Sequence, residues 1–226
     1  MQPRRRLLKA LAAAGLLGPA GISGLIRDAL AKGDAPIQPG LHKVRGEVIV
    51  NRRLATEGQL IKPGDTVVTG ANSEAIYVIG QDAFMQRELT TVNFGAEAAK
   101  NLMRVVSGKI LSVFGKGAKT IQVATATIGI RGTGCYIEEE NHGVTARTYF
   151  CLCYGEVDLT PTASPRERES YSTVHHDKPM YIHNDMKMAK MMVPAGVINH
   201  SDDELKLLEA LVGRTPPSWG SDGKKY

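Results

Sequence analysis

Lys109-Ile110-Leu111-Ser112-Val113-Phe114, then Gly115-Lys116-Gly117-Ala118-Lys119, then Thr120-Ile121-Gln122-Val123-Ala124 is the stretch on which the fold turns. Two short runs rich in branched apolar residues are separated by a link carrying two glycines, which is the pattern of two strands and a turn. Working outward, the same pattern recurs. Gly46-Glu47-Val48-Ile49-Val50-Asn51 opens a series, and Thr66-Val67-Val68-Thr69 follows the turn signal Lys62-Pro63-Gly64-Asp65. Ala75-Ile76-Tyr77-Val78-Ile79 and the alternating Leu89-Thr90-Thr91-Val92-Asn93-Phe94 continue it. The expectation is an all-β domain over residues 44–160, with no exact internal repeat and one short helical segment at Ala96–Leu102. Aromatic residues are only 5% of the chain, so packing must rest on Val, Ile and Leu.

Beyond Thr160 the composition shifts, and residues 161–226 read as a C-terminal extension. Pro161-Thr162-Ala163-Ser164-Pro165-Arg166-Glu167-Arg168 has the proline and charge of an exposed loop. Ser201 and Glu204 then have capping-box spacing, Leu205, Leu208 and Leu211 share one helical face, and Gly213 followed by Pro216-Pro217 stops the helix. A short amphipathic helix near 202–212, docked on the β domain, is expected.

The N-terminus sets the compartment. Arg4-Arg5-Arg6-Leu7-Leu8-Lys9, the weakly apolar stretch Ala10 to Ile26 and the small residues Ala29-Leu30-Ala31 resemble a twin-arginine export signal over residues 1–31, with 32–43 as linker. Gly15, Gly18, Pro19, Gly21 and Gly24 interrupt a stretch shorter than the ~20 apolar residues a membrane span needs. The expected location is a bacterial periplasm, with inner-membrane anchoring if the signal stays uncleaved. Residues 1–31 carry five basic side chains (Arg4, Arg5, Arg6, Lys9, Arg27) against Asp28, so +4 of the total +5 resides there and the remainder is near +1. The basic balance therefore belongs to targeting and points to no nucleic-acid partner.

Gly46-Glu47-Val48, Gly64-Asp65-Thr66-Val67-Val68-Thr69-Gly70 and Ser73-Glu74-Ala75 resemble the first half of a FecR-type domain. Val106-Ser107-Gly108-Lys109-Ile110 and Ala124-Thr125-Ala126-Thr127-Ile128-Gly129-Ile130-Arg131-Gly132-Thr133-Gly134 resemble its second half, Ile130-Arg131-Gly132-Thr133 being the most specific block. The resemblance implies a twisted, solenoid-like or sandwich arrangement of short strands used for recognition, with Arg131 either a buried pairing residue or a surface anion contact. Regulatory members place a sigma-factor-binding region and a membrane helix before this domain. Only about 40 residues precede it here, so the expectation is an exported form lacking the anti-sigma region.

Cys135, Cys151 and Cys153 are the three cysteines. In a strand, Cys151 and Cys153 point to one face roughly 7 Å apart, which disfavours a disulfide between them. Asn141-His142-Gly143 reads as a hairpin turn, and its length fixes where Cys135 goes. A three-residue turn, His142 to Val144, sets Cys135 opposite Cys151 with all three sulfurs on one face. A two-residue turn, Asn141-His142, sets it opposite Thr148 and on the other face. His175-His176-Asp177 and His183 could add imidazole ligands, so Cys135, Cys151, Cys153, His175 and His176 form a candidate site for zinc, copper or an iron–sulfur centre. Met180, Met186, Met188, Met191 and Met192 could instead supply soft thioethers to copper(I), or simply fill apolar gaps. No Gly-x-Ser-x-Gly elbow, P-loop or His-Glu-x-x-His motif occurs. The expected function is a non-catalytic, exported FecR-type binding module recognising an envelope protein or glycan. The alternative is a metal or redox-cofactor protein.

Overall fold

The computed structural model describes residues 38–214 apart from 97–101 and 143–144. The export signal, most of the linker, most of the Ala96–Leu102 helical segment and Pro216-Pro217 lie outside the described residues. The first half forms β1 (Gly40–Arg45), β2 (Val48–Val50), β3 (Arg53–Leu54), β4 (Thr66–Thr69), β5 (Glu74–Ile79), β6 (Asp82–Gln86), β7 (Thr90–Phe94), β8 (Leu102–Val113) and β9 (Ala118–Gln122). The long hairpin β10 (Ala126–His142) and β11 (Thr145–Pro161) follows, then β12 (Glu169–Thr173), β13 (Met180–His183), β14 (Met192–Pro194) and the helix α1 (Asp202–Leu211). The stretch read from sequence as an extension thus adds three strands beyond the exposed loop, which carries a 3-10 turn at Pro165–Glu167. All fourteen strands share one open sheet, with β14-β13-β11-β10-β9-β8-β7-β4-β2-β3 in order and β1, β5, β6 and β12 branching from it. The all-β expectation with a C-terminal amphipathic helix holds.

The branching comes from a bend in β8. Its first half pairs with β7 and β9, and its second half with β6 and β10. Gly108 sits at the change of partner with φ +85°, and a Cβ there would lie 2.5 Å from Thr90 Cα. Only glycine fits.

Residues of the central strands are buried on both faces, with the period of two that a pleated strand imposes. Ala75 and Tyr77 of β5, Phe84 of β6, Ile110 of β8 and Ile137 of β10 face the main core. Ile76 and Val78, Ala83 and Met85, Leu111 and Val113, and Tyr136 face the opposite side, where Leu205, Leu207, Leu208 and Leu211 of α1 cover them. Helix α1 begins with the expected capping box of Ser201 and Glu204. Each leucine buried there is worth about 1.5–3 kcal/mol. Arg87 fastens the helix start through Glu204 at 2.9 Å and the Asn199 carbonyl at 2.9 Å.

Register in the β10–β11 hairpin matters most. His142 pairs with Thr145, and Tyr136 with Cys151. From Cys135 to His142 the ladder runs without a shift, so the position of the link alone sets Cys135 opposite Leu152; one extra residue on β10 between Arg131 and Gly134 and one on β11 between Gly134 and Cys135 then cancel beyond it. The link is therefore residues 143–144, and neither sequence-derived turn is the one used.

Candidate metal centre

The outer face of β11 supplies two sulfurs. Cys151 and Cys153, two apart on one strand, both point under the C-terminal layer, and both are free thiols with no exposed surface. The next ligand comes from the turn after β12. Gly155 pairs with Thr173, which brings the following residues alongside Cys153. The Asp177 carboxylate accepts from the Val174 and His175 amides, and the His176 amide donates to the Cys153 carbonyl at 3.0 Å. His176 itself adopts φ +53°, a left-handed conformation uncommon outside glycine. The fourth group, His200, immediately precedes the N-cap Ser201. Asn199, with φ +56°, turns the chain there and donates to Glu138 at 2.6 Å, while the His200 ring stacks on Tyr136 with centroids 4.6 Å apart.

These four side chains converge. Cys151 Sγ lies 3.4 Å from His176 Nδ1, Cys153 Sγ 3.5 Å from His200 Nε2, and the two nitrogens 3.1 Å apart. All four ligand atoms lie within 4.8 Å of one another, and all four residues are buried. A tetrahedral ion with bonds of about 2.3 Å to sulfur and about 2.05 Å to nitrogen spaces N from N by about 3.3 Å, and N from S by about 3.5 Å. The observed spacings suit one ion. They do not suit a two-iron cluster carrying its sulfurs on one iron and its nitrogens on the other, because that holds S and N much further apart.

The outer nitrogens fix the tautomers. His200 Nδ1 lies 2.6 Å from the Ile198 carbonyl, which can only accept, so this nitrogen carries the proton. His176 Nε2 lies 3.1 Å from Asp202 Oδ1 and likewise donates. In their neutral forms both rings then aim lone pairs inward at one point, the arrangement in which a metal ligand is oriented by an outer carbonyl or carboxylate. A proton and a metal ion compete for that point. His176 is pushed up from the ordinary histidine value, since the Cys151 sulfur and the Asp202 carboxylate outweigh its burial. Cys151 is held below the usual thiol range, first by a hydrogen bond from Cys153 and then by His176 and His200 against its burial, while burial pushes Cys153 well up.

Of the five site residues expected from sequence, three fall in the cluster: Cys151, Cys153 and His176. Cys135 does not, because its register places it on the opposite face, buried in the main core with Leu152 and Ile137. His175 stands one step out, its Nε2 within 3.1 Å of both Asp202 oxygens. His183 faces Arg147 across the β11–β13 ladder. The methionines do not form a common site. Met180 packs in the main core with Met192 beside it, and Met186 is 76% exposed. Sequence reasoning missed His200 and Asp202, although a histidine directly before a helix capping box was a usable signal. Arg131 is exposed and lines an open cleft of about 360 Å³ with Gly129, Glu156, Asp158, Ser170 and Ser172, so it is no buried pairing residue.

Among the described residues no helix is long and apolar enough to cross a membrane. No protein-family profile matches the chain, and no match is found among curated proteins. Two crystal structures of a candidate anti-sigma factor from Parabacteroides distasonis ATCC 8503 are similar in fold. The 1.65 Å structure has 8% identity and a TM-score of 0.47 over 66% of this chain and 74% of that one. The 2.50 Å structure has 7% identity and the same TM-score of 0.47 over 63% of each.

Proposed function

We propose that this chain is a non-catalytic module of the bacterial cell envelope that holds a single zinc-type ion between Cys151, Cys153, His176 and His200. The observation carrying this reading is the convergence of two sulfurs and two tautomer-fixed imidazoles, at tetrahedral spacing, in a fully buried position. Four protein ligands and no solvent access describe a closed, structural type of site, with no open position for a substrate. Two sulfurs with two imidazoles suit zinc, whereas an electron-transfer copper site uses one thiolate with a weak axial methionine. The twin-arginine-like N-terminus agrees with this, since that route carries proteins already folded around a cofactor.

The test is elemental analysis and a thiol count on the full chain purified from the exported fraction. One ion per chain is expected, with no thiol titrating in the native protein, where all three cysteines are buried, and all three titrating after denaturation in chelator. Cobalt loading should give sulfur-to-metal charge-transfer absorption that Cys151→Ser and His200→Ala abolish and Cys135→Ala leaves in place. Failure to take up zinc or cobalt would end the reading. A second reading, recognition of a polar envelope ligand, is favoured by the cleft around Arg131, where a guanidinium, two carboxylates and two serine hydroxyls face solvent.

A further inference from the structure

The four candidate ligands come from three separate parts of the chain. Cys151 and Cys153 belong to the sheet, His176 to the turn after β12, and His200 to the residue before the N-cap of α1. Beyond its leucine face, the helix is tied at its start by Arg87 to Glu204 and by His175 and His176 to Asp202, with Asn199 bonded to Glu138 just before it, and near its end by Tyr154 to Glu209 and by Arg214 to the Gln81 carbonyl. It has ten residues. An isolated helix shorter than about 12–15 residues is marginal in water, so α1 is helical only while docked.

Resting on the metal reading above, we propose that the ion is a latch. Its presence keeps residues 198–212 docked. Its withdrawal frees that segment and uncovers the outer sheet strip of Ile76, Val78, Met85, Leu111 and Val113, while the main core stays folded. Two arguments meet here. Undocking carries His200 away, so only the docked form presents all four ligands. An ion that binds one form alone multiplies the ratio of that form to the other by 1 + [ion]/Kd, about 10³-fold when the free ion is 1,000 times Kd. Conversely, the docked form without an ion confines two imidazoles 3.1 Å apart with two sulfurs, away from water, where their lone pairs oppose one another unless a proton intervenes. The main core draws on the other face of every central strand and uses no residue of α1. Coupling is reciprocal, so loosening the helix elsewhere must weaken ion binding by the same factor.

Hydrogen exchange followed by mass spectrometry on the full chain, zinc-loaded and chelator-stripped, tests this. Stripping should cut amide protection across 203–211 at least 100-fold and leave β2, β4 and β7 unchanged. Arg87→Ala, which touches no ligand, should lower zinc affinity while keeping the one-to-one stoichiometry. Zinc bound one-to-one with equal protection of 203–211 in both forms would overturn the latch and leave the centre standing. Protection lost uniformly across the sheet would also overturn it, because the ion would then support the whole fold. Unchanged zinc affinity in Arg87→Ala would remove the coupling. No zinc uptake at all would remove both the centre and the latch.

Discussion

At the scale of single residues, burial gives similar side chains different roles. Cys135 and Cys151 are equally buried, yet one is a core residue and the other a ligand candidate, because they occupy opposite faces of one ladder. Glu139 is the second case. It lies 4% exposed on β10, its Oε2 accepts from Thr148 at 2.6 Å, and its Oε1 has no partner. Burial pushes its carboxyl from 4.5 to about 7, with Thr148 and the Ala124 amide opposing and Glu140 assisting. Between those values the native chain holds a proton that the unfolded chain has lost, so stability falls as pH rises through this window and levels off above it. At about 1.36 kcal/mol per pH unit, the penalty at pH 8 is on the order of 2–3 kcal/mol. Glu139→Gln should therefore stabilise the protein by about 2 kcal/mol at pH 8 and be near neutral at pH 4.5. Urea unfolding of both proteins at both pH values checks this, and an equal effect at the two would contradict it.

At the scale of elements, the sequence exposes some features and hides others for definite reasons. The strands were legible because Val, Ile and Thr runs between glycines have few other uses, and α1 was legible from Ser201, Glu204 and its leucines. Register was not. No bulge lies between the turn and Cys135, so its face depends on the link alone, and the Gly143-Val144 link gives a weaker turn signal than Asn141-His142. Two turns were therefore open from sequence, and the one that grouped Cys135 with Cys151, on which its place in the expected site rested, is not the one used. The strands β12 to β14 were hidden because they are short, five, four and three residues, and carry Ser, His and Pro in place of a run of branched apolar residues. Glycine shows the same dependence on context. Gly155, opposite the bulge on β10, has φ +100°, and a Cβ there would lie 2.5 Å from Thr133 Cγ2 and 2.9 Å from the Gly132 carbonyl oxygen. Gly80 also has positive φ, +58°, but nothing lies within 4 Å of its Cβ position. Gly80→Ala should cost about 1 kcal/mol, for backbone strain alone. Gly155→Ala should cost on the order of 3 kcal/mol, with the clash added. Denaturant midpoints of the two variants check the ranking, and equal costs would show that the bulge yields freely.

At the scale of the whole molecule, one sheet separates two apolar layers of unequal independence. The inner core draws on strands from β1 to β13 and includes Tyr77, Phe84, Phe94 and Phe114 in mutual ring contact. The outer layer is smaller and depends on α1 and the segment around His200, with Tyr136, Tyr149 and Tyr181 packed among them. Cooperativity between layers requires that each be stable only with the other, and the four candidate ligands lie in the outer layer alone. Stripped of the proposed ion, the protein should therefore unfold in two steps under urea. Near-ultraviolet circular dichroism weighs the outer layer most, because Tyr136, Tyr149, Tyr154 and Tyr181 are packed there, while Tyr77 and Tyr171 contribute from the inner core. Far-ultraviolet dichroism is dominated by the sheet. In the stripped protein the larger part of the tyrosine signal should be lost at lower urea than the sheet signal, and the remainder with the sheet. With zinc in excess the two transitions should coincide and move to higher urea. Coincident transitions in the stripped protein would mean that the leucine face and Arg87 hold the outer layer unaided, and the two layers would then form one cooperative unit whatever ion Cys151, Cys153, His176 and His200 carry.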